Sequence, residues 1–342
     1  MLRKRLLDRH GKGGLSFTEL GFGTAPLGNL YKSVSDESAH QVLELAWTSG
    51  LRYFDTAPLY GLGLSETRLN RFLRNKPRHE YLLSTKVGRL IKPCSPENRT
   101  GIGKFFDVPD RKEFFDYSYD GIMRSLEFSI ERLGVNRIDI LYVHDLCIFT
   151  HGSKEESDRH ISDFFETKGY NALLSLRDQG VVSAIGAGVN EWEVCQTLAE
   201  RGDFDLFLLA GRYTLLEQKA LKTFLPLCIS RGIGIVSGGP YNSGILATGP
   251  VQGSFYNYEP APPEILEKVI AIENICKEYK VPLKAAALQF PLLHPAHLAV
   301  IPGGQNIHEM QSNINSLNVD IPTQLWESLK NANLLDPDSI VS

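Results

Sequence analysis

Short apolar runs alternate along the chain with longer stretches in which hydrophobic and polar positions recur at helical spacing. The short runs are rich in Ile, Val, Leu and Phe, which is typical of strands buried on both faces of a parallel sheet. The longer stretches have the spacing of amphipathic helices. Eight strands are predicted in this way, at 20–23, 52–55, 81–85, 138–144, 184–187, 206–210, 234–237 and 298–301.

A helix is predicted after each strand, and breaking residues mark several of the helix ends. Gly50, Gly134 and Gly180 end three of the helices, and Pro77 follows a fourth. The predicted helices are 36–49, 65–75, 119–133, 171–179, 191–201, 218–231, 263–279 and 306–316, with a further one at 322–331.

Eight strand and helix units predict a protein of the α/β class, a (β/α)8 TIM barrel formed as a single domain by residues 1–342. A doubly wound open sheet is the competing architecture, and its glycine-rich phosphate loop gives a sharper test than the strand count. Gly21, Gly23 and Gly28 have the spacing G-x-G-x-x-x-x-G, which departs from the G-x-G-x-x-G of that loop. The barrel is therefore favoured.

Two long irregular stretches, 88–118 and 146–168, each follow a predicted strand. The loops after barrel strands form the rim where ligands bind, so we expect these long βα-loops to shape a substrate site. The alternative is surface decoration without a role.

Composition and charge narrow the range of partners. The chain has 36 basic and 40 acidic residues, a net charge of −4, and no long run of like charge, so neither nucleic acid nor a membrane is an expected partner. Its five cysteines are odd in number and widely spaced, which is typical of reduced thiols. The N-terminal stretch is basic but lacks the apolar core of a signal peptide. We therefore expect a cytoplasmic protein, as a monomer or a homodimer.

Chemically active side chains lie where predicted strands end. Asp55 ends RYFD, Lys86 ends YLLSTK and His144 ends ILYVH, while Tyr60 lies in the loop after Asp55. Alone, these could be a turn cap, a solvated strand end, a core histidine and a rim aromatic. In a barrel the strand ends converge on one face, so an acid, a cation, an imidazole and a phenol would meet there. Together they predict a set of residues for proton transfer.

Several segments resemble the aldo-keto reductase family. GLRYFDTAPLYGLGLSE at 50–66 is similar to its first signature, and RLGVNRIDILYVHD, IGAGVN and IPGGQNIHEMQSNI continue the resemblance in order. The resemblance implies a barrel that binds a nicotinamide cofactor, moves a hydride to or from carbon and acts on a small-molecule substrate. It also implies a catalytic tetrad: Tyr60 exchanges the proton, Lys86 lowers the pKa of Tyr60, Asp55 holds Lys86, and His144 orients the substrate oxygen.

The same resemblance implies the cofactor contacts. They comprise two residues after the first strand, one near the carboxamide, a segment at 237–244 and an adenosine-side group: Gly23, Thr24, Asn190, Ser237, Gly239, Pro240, Asn242, Gly244, Gly303, Gly304, Glu309 and Asn313. NADP-dependent relatives often place Lys or Arg where this chain has Gly303 and Glu309, so NAD is the expected cofactor and NADP is less favoured. Gly238 replaces the aromatic residue that often stacks on the nicotinamide.

Further segments, FDYSYDGIMRSLE, HDLCIFTHG and GGPYNSGIL, resemble the branch of the family that oxidises aldoses at C1 or pyridoxal. This implies NAD-dependent oxidation of a cyclic hemiacetal to the lactone, with Tyr60 as the general base. NADPH-dependent reduction of an aldehyde or ketone and a non-catalytic cofactor-sensing subunit remain the alternatives. No metal site is expected, because the H-x-x-H of His294 and His297 contains Pro295 and lacks a glutamate.

Overall fold

The computed structural model describes residues 2–11, 14–101 and 103–341, and its centre is a barrel of eight parallel strands. They are β1 Phe22–Gly23, β2 Tyr53–Asp55, β3 Leu82–Val87, β4 Ile140–His144, β5 Ala184–Val189, β6 Leu206–Ala210, β7 Gly234–Gly238 and β8 His297–Ile301. Each strand pairs in parallel with the next. Leu20 bridges to Val300, whose carbonyl oxygen accepts a hydrogen bond of 2.9 Å from Gly21 N. This seam closes the sheet and confirms the expected TIM barrel.

Helices surround the barrel close to the predicted positions. They are Asp36–Thr48, Leu64–Leu73, Tyr119–Leu133, Gly169–Asp178, Trp192–Arg201, Phe224–Arg231, Pro263–Glu278, Ile307–Leu317 and Thr323–Asn331. An additional helix, Leu283–Leu293, was not predicted. Eight of its residues are buried, so it lacks the polar face that produces a helical period. Within the described ranges, no helix combines the length and the apolarity needed to cross a membrane.

The hydrophobic core has two main layers, separated by the strands. Side chains from β2, β4, β6, β7 and β8 fill the barrel, while the outward faces of the strands pack against the helices. An antiparallel hairpin, Lys4–Leu7 with Leu15–Thr18, lies against the N-terminal end of the barrel. Leu7 and Phe17 from this hairpin belong to the interior cluster. The hairpin therefore plugs the barrel end opposite the strand ends that carry Asp55 and His144, and the sequence pattern missed it.

The two stretches predicted as irregular loops contain regular structure. Within 88–118, strands Arg89–Pro93 and Arg111–Phe115 form an antiparallel hairpin. Within 146–168 lie helices Ile148–His151 and Lys154–Glu166, the second capped by Ser153, whose side chain accepts a hydrogen bond from Glu156 N. The single helix predicted at 218–231 is also wrong. A short 3-10 turn at Lys219–Leu221 precedes helix Phe224–Arg231, because Pro226 is favoured only in the first turn of a helix.

Candidate active site

The four residues of the predicted tetrad lie together at the C-terminal end of the barrel. Lys86 Nζ is 2.7 Å from Asp55 Oδ2 and 4.7 Å from the centre of the Tyr60 ring. The Tyr60 and His144 rings are 6.2 Å apart and nearly perpendicular, at 87°. Asp55 and His144 end β2 and β4, and Lys86 is the next-to-last residue of β3, so three adjacent strands bring the group together.

The Asp55–Lys86 ion pair is fully enclosed and hydrogen-bonded on both sides. Ser84 Oγ donates to Asp55 Oδ1 at 2.7 Å, and Lys86 Nζ also donates to the Thr56 carbonyl at 2.8 Å. Both charged side chains are about 1–2% exposed. A buried ion pair retains its charges only when such partners satisfy them, so the position of Lys86 beneath Tyr60 is fixed.

The protonation states of this site follow from its burial. Burial raises the pKa of Tyr60 well above its ordinary value, and the carboxylates of Asp55 and Asp145 raise it further, while Arg89 opposes them. Burial, aided by Arg89 and Lys86, holds the pKa of His144 well below its usual range. In the protein alone, Tyr60 is therefore a neutral phenol and His144 a neutral imidazole. The expected lowering of the Tyr60 pKa is not present in this state.

Arg89 and Asp145 extend the tetrad, and their contact was not predicted from the sequence. Arg89 begins the hairpin after β3, and its Nη2 donates to Asp145 Oδ2 at 2.5 Å. Asp145 Oδ2 also lies 3.3 Å from His144 Nε2. A second carboxylate, that of Glu113, accepts from Arg89 Nη1 at 2.8 Å. The Arg89 guanidinium is buried, and it contacts His144 only through Asp145.

A cleft of about 350 Å³ opens over the same end of the barrel. Asp55 and Tyr60 form part of its wall, and Glu309 lies in another part. Three further aromatic side chains and an arginine line it, and only Tyr241 among them lies in a segment, 237–244, that the sequence analysis had assigned to the cofactor: Tyr31, Tyr241, Tyr258 and Arg212. Tyr258 has a left-handed backbone, with φ +66°, and its hydroxyl donates to Asn190 Oδ1 at 3.5 Å. Neither residue type nor spacing marks Tyr258, because it lies on a loop remote in sequence.

Comparison with known proteins agrees with this geometry. The model of the Aldo/keto reductase family matches residues 19–334. The chain is 42% identical to pyridoxal 4-dehydrogenase from Microbacterium luteolum, over 95% of this chain and 96% of that protein. It is also 42% identical to D-threo-aldose 1-dehydrogenase from a Pseudomonas species, over 94% of this chain and 96% of that protein. The chain belongs to the aldo-keto reductase family. It is therefore an oxidoreductase, and the family uses a nicotinamide cofactor.

Solved aldo-keto reductases share the fold. The holo form of one from Bacillus halodurans superimposes with a TM-score of 0.75 at 23% identity. The alignment covers 98% of this chain and 97% of that one. At this identity the likeness supports the barrel and its closure, while the chemistry rests on the site described above.

Most of the residues predicted to contact the cofactor line the cleft of this aldo-keto reductase. They are Gly23, Asn190, Gly239, Pro240, Asn242, Gly244, Gly303, Gly304 and Glu309. The other three lie behind its wall. Thr24 Oγ1 donates to the Asp55 carbonyl at 2.7 Å, and Asn313 Nδ2 donates to the Gly303 carbonyl at 3.0 Å. Ser237 is buried at the end of β7. The predicted contacts of these three residues with the cofactor stay predictions.

The cleft fits a dinucleotide in its exposed backbone and its unpaired polar groups. Asn242 Oδ1, in the lining, is buried and has no hydrogen-bond partner in the described part of the chain. Gly239 and Gly244 have φ of +52° and +103°, where a side chain would be strained and where main-chain groups can approach a ligand closely. Glu309 Oε2 accepts from Gln305 N at 2.8 Å, so its carboxylate is fixed at the rim. Asn190 and Asn242 offer the amide groups suited to a carboxamide.

Proposed function

We propose that this aldo-keto reductase oxidises a cyclic hemiacetal to a lactone with NAD. The observation that carries the proposal is the buried Asp55–Lys86 pair lying against Tyr60 beside His144, at one wall of the cleft. The two dehydrogenases that are 42% identical are named for pyridoxal and for D-threo-aldoses. Both compounds form cyclic hemiacetals, so one mechanism serves either substrate.

In this reaction the anomeric carbon loses its hydrogen with the bonding electrons, and its hydroxyl loses a proton. Oxidised nicotinamide, when bound, accepts the hydride. Tyr60 first releases its own phenolic proton to solvent; its Oη then accepts the hydroxyl proton as general base, and the C–O bond becomes the carbonyl of the lactone. The neutral imidazole of His144 orients the oxygen. Lys86, held by Asp55 under the Tyr60 ring, stabilises the negative charge that a phenolate base requires, because an adjacent cation favours the ionised form.

The charges at the cleft support NAD over NADP. Glu309 brings a negative charge, and Gly303 offers no cation for a 2′-phosphate. Among the described lining residues, Arg212 is the cationic side chain, and it already donates to Asn257 Oδ1 at 2.8 Å. A carboxylate at the rim can accept hydrogen bonds from a free ribose and repels a phosphate.

One observation favours a second candidate, the reduction of an aldehyde or ketone with NADPH. Lys284 Nζ lies 5.3 Å from the centre of the Tyr241 ring and donates to Ser312 Oγ at 2.8 Å. This cation is close to the Glu309 part of the cleft. Burial lowers the pKa of Lys284, and the carboxylate of Glu309 opposes that shift. A shift of Lys284 toward the cleft would provide the positive charge that a 2′-phosphate needs.

The experiment follows the formation of NADH by absorbance with L-fucose, D-arabinose, L-galactose and pyridoxal, each with NAD⁺ and with NADP⁺. Turnover of a sugar or of pyridoxal with NAD⁺, and weak turnover with NADP⁺, is the expected result. Activity confined to pyridoxal would assign the substrate within the same chemistry. Silence with NAD⁺ together with reduction of an aldehyde by NADPH would replace the proposal by the second candidate.

A further inference from the structure

We propose that Arg89 is a positioning residue, which acts through Asp145 to hold His144 in the tautomer that carries its proton on Nε2. The proposal deepens the proposed function, because it specifies how His144 presents a donor to the substrate oxygen. Its first test needs no substrate and therefore does not depend on that function.

The three side chains form a chain of contacts leading away from the cleft. The Arg89 guanidinium is 6% exposed and donates through its two Nη atoms to Asp145 and Glu113, while its Nε has no partner in the described structure. Asp145 Oδ2 thus lies between a cation at 2.5 Å and His144 Nε2 at 3.3 Å. Both Arg89 and Asp145 are too enclosed to contact a substrate without displacement, so their effect passes through His144.

The charge on Asp145 determines where a neutral imidazole carries its proton. A carboxylate repels a nitrogen lone pair and attracts an N–H, so Asp145 favours the proton on Nε2 of His144. Nδ1 is buried and has no hydrogen-bond partner within residues 2–11, 14–101 and 103–341, which leaves it as the unprotonated nitrogen. The 3.3 Å contact between Nε2 and Asp145 Oδ2 is an electrostatic contact and not a hydrogen bond in the described structure. The Nε2–H therefore remains available to donate to an oxygen at the reacting carbon.

The backbone holds Asp145 in this position. Asp145 has φ +52°, a left-handed conformation that is uncommon for a residue with a side chain and that occurs often at functional sites. Its N–H donates to the Gly188 carbonyl at 3.0 Å. Tyr117 Oη donates to the carbonyls of His144 and Asp145, at 2.8 and 3.2 Å. These bonds fix both ends of the turn and leave Arg89 to fix the carboxylate.

Arg89 also keeps the Asp145 carboxylate ionised. Burial raises the pKa of Asp145, and Arg89 is the strongest of the influences that lower it. The charged and titratable groups that face Asp145 are Arg89, Lys86, Glu113, His144, Tyr60, Tyr117, Cys147, His151 and Tyr258. Loss of the guanidinium removes the nearer of the two cations, so Asp145 and His144 together would take up a proton at higher pH than they do in the wild type.

The first test measures the tautomer directly by long-range ¹H–¹⁵N spectra of protein labelled at its nine histidines. The His144 signals are assigned by their loss in His144→Gln. We expect the Nε2–H tautomer in the wild type and a shift toward Nδ1–H in Asp145→Asn, whose amide can donate to Nε2. Arg89→Met is expected to move the same signals, and Arg89→Lys to restore them in part. Unchanged His144 signals in Asp145→Asn and in folded Arg89→Met would overturn the proposal.

The second test uses turnover, with Arg124→Met as the matched control. Arg124 pairs with Asp116 at 2.8 Å on the same side of the barrel, but it is 53% exposed and remote from His144. Arg89→Met is expected to lower kcat/KM by about 10- to 100-fold, as small misplacements of catalytic groups do, with unchanged cofactor affinity. Its acid limb should move to higher pH. A pH profile that superimposes on the wild type would reduce Arg89 to a structural residue.

The two tests separate this proposal from the proposed function. If Asp145→Asn fails to fold, Arg89→Met decides the tautomer arm, and Arg89→Lys is its control because it retains a cation. The expected shifts of the His144 signals, with no turnover of any hemiacetal, would sustain the role of Arg89 and refute the reaction. Turnover of a hemiacetal with unchanged His144 signals would sustain the reaction and refute the role of Arg89.

Discussion

Buried carboxylates lie at both ends of the barrel, and their roles differ. At the N-terminal end, Asp139 and Asp205 directly precede β4 and β6. Each accepts a hydrogen bond of 2.8 Å from the backbone of the preceding strand in the sheet, Asp139 from Leu83 N and Asp205 from Ile185 N. At the C-terminal end the equivalent acids are Asp55 and Asp145, which contact side chains instead.

The difference lies in how completely the polar groups around these carboxylates are satisfied. Asp205 accepts from Arg9, Arg177 and the Ile185 backbone, and it contacts His10 Nε2 at 2.7 Å. At the other end, buried atoms remain without partners among the residues that the structure describes, for example Nδ1 of His144 and Nε of Arg89. The two ring nitrogens of His297 at the N-terminal end also lack partners among the described residues, so an unsatisfied group indicates a ligand site only where ligands bind, which in a barrel is the C-terminal end. A buried aspartate can therefore stabilise the fold at one end of the barrel and take part in the chemistry at the other, and its partners determine which.

The largest effect is expected from removal of the Tyr60 hydroxyl at the C-terminal end of the barrel. Tyr60→Phe should lower kcat by about 10²- to 10⁴-fold, the usual contribution of general acid–base catalysis, because the proton acceptor is lost. The affinity for the cofactor should persist, measured by quenching of protein fluorescence. Tyr170→Phe is the control, since the Tyr170 hydroxyl accepts from Asp203 N at the opposite end. Near-normal turnover of Tyr60→Phe would refute the assignment of the base.

Lys86→Met should lower both the stability of the fold and the enzymatic activity. It leaves Asp55 buried without its cation, and breaking a buried pair costs about 3–5 kcal/mol in the free energy of unfolding. Turnover should also be lost. The double variant Lys86→Met with Asp55→Asn should recover much of the stability in urea unfolding and none of the activity. Equal stability of the single and double variants would show that the ion pair contributes little to the fold.

Asp205→Asn should affect stability alone. It removes the charge that pairs with Arg9 and Arg177, and we expect a loss of about 2–3 kcal/mol in the free energy of unfolding, because charge-assisted hydrogen bonds to buried groups are lost. At a temperature where the variant is folded, kcat/KM should equal the wild-type value. A large fall in kcat/KM with little change in the melting temperature would break the division between the two ends.

These predictions also show what the sequence could determine. Helix Tyr119–Leu133 was predicted at its observed bounds, because Ser118 accepts from Gly121 N at its start and Gly134, with φ +61°, ends it. Such signals are local. Asp55, Lys86 and His144 were predictable because each ends an apolar run, and a barrel brings strand ends together.

What the sequence missed depends on distant partners. Arg89 meets Asp145 and Glu113 across 56 and 24 residues, and nothing near Arg89 indicates either contact. Tyr258 reaches Asn190 across 68 residues from a loop with no periodic pattern. Helix Lys154–Glu166, in contrast, carried a local signal in Ser153 that went unused.

A smaller effect concerns pH and another histidine at the N-terminal end. Burial holds the pKa of His297 well below 6.5, so the folded protein keeps this ring neutral while the unfolded chain protonates it. The contribution to stability is complete above about pH 6.5 and is lost as the pH falls, by up to about 1.4 kcal/mol per pH unit. His297→Phe should flatten this slope in urea unfolding at pH 5 to 7. The exposed His79→Phe should leave the slope unchanged, and an unchanged slope in both would contradict the assignment.

The smallest expected effect tests a carboxylate of the cleft that is well satisfied. Glu309 accepts from Gln305 N and Asn306 Nδ2, and glutamine at this position can retain part of that bonding. Glu309→Gln removes one negative charge near a 2′-phosphate, so we expect NADP⁺ to bind about 3- to 10-fold more tightly, with NAD⁺ nearly unchanged. Calorimetric titration of both cofactors measures this. No gain in NADP⁺ affinity would show that Glu309 does not discriminate between the two.

The barrel seam also sets the order in which a growing chain can complete its fold. Leu20 pairs with Val300, and Arg5 Nη1 donates to the carbonyl of His297, 292 residues away. Strands β2, β3 and β4 are neighbours and carry the tetrad, so they can pair while the ribosome is still adding the later strands. Until β8 emerges, however, both outer strands of the sheet expose unpaired backbone groups, which readily join other chains. A ribosome that stalls between β4 and β8 would therefore release a chain that carries the tetrad residues and has two unpaired edge strands. Both edges could pair with strands of other chains and lead to aggregation.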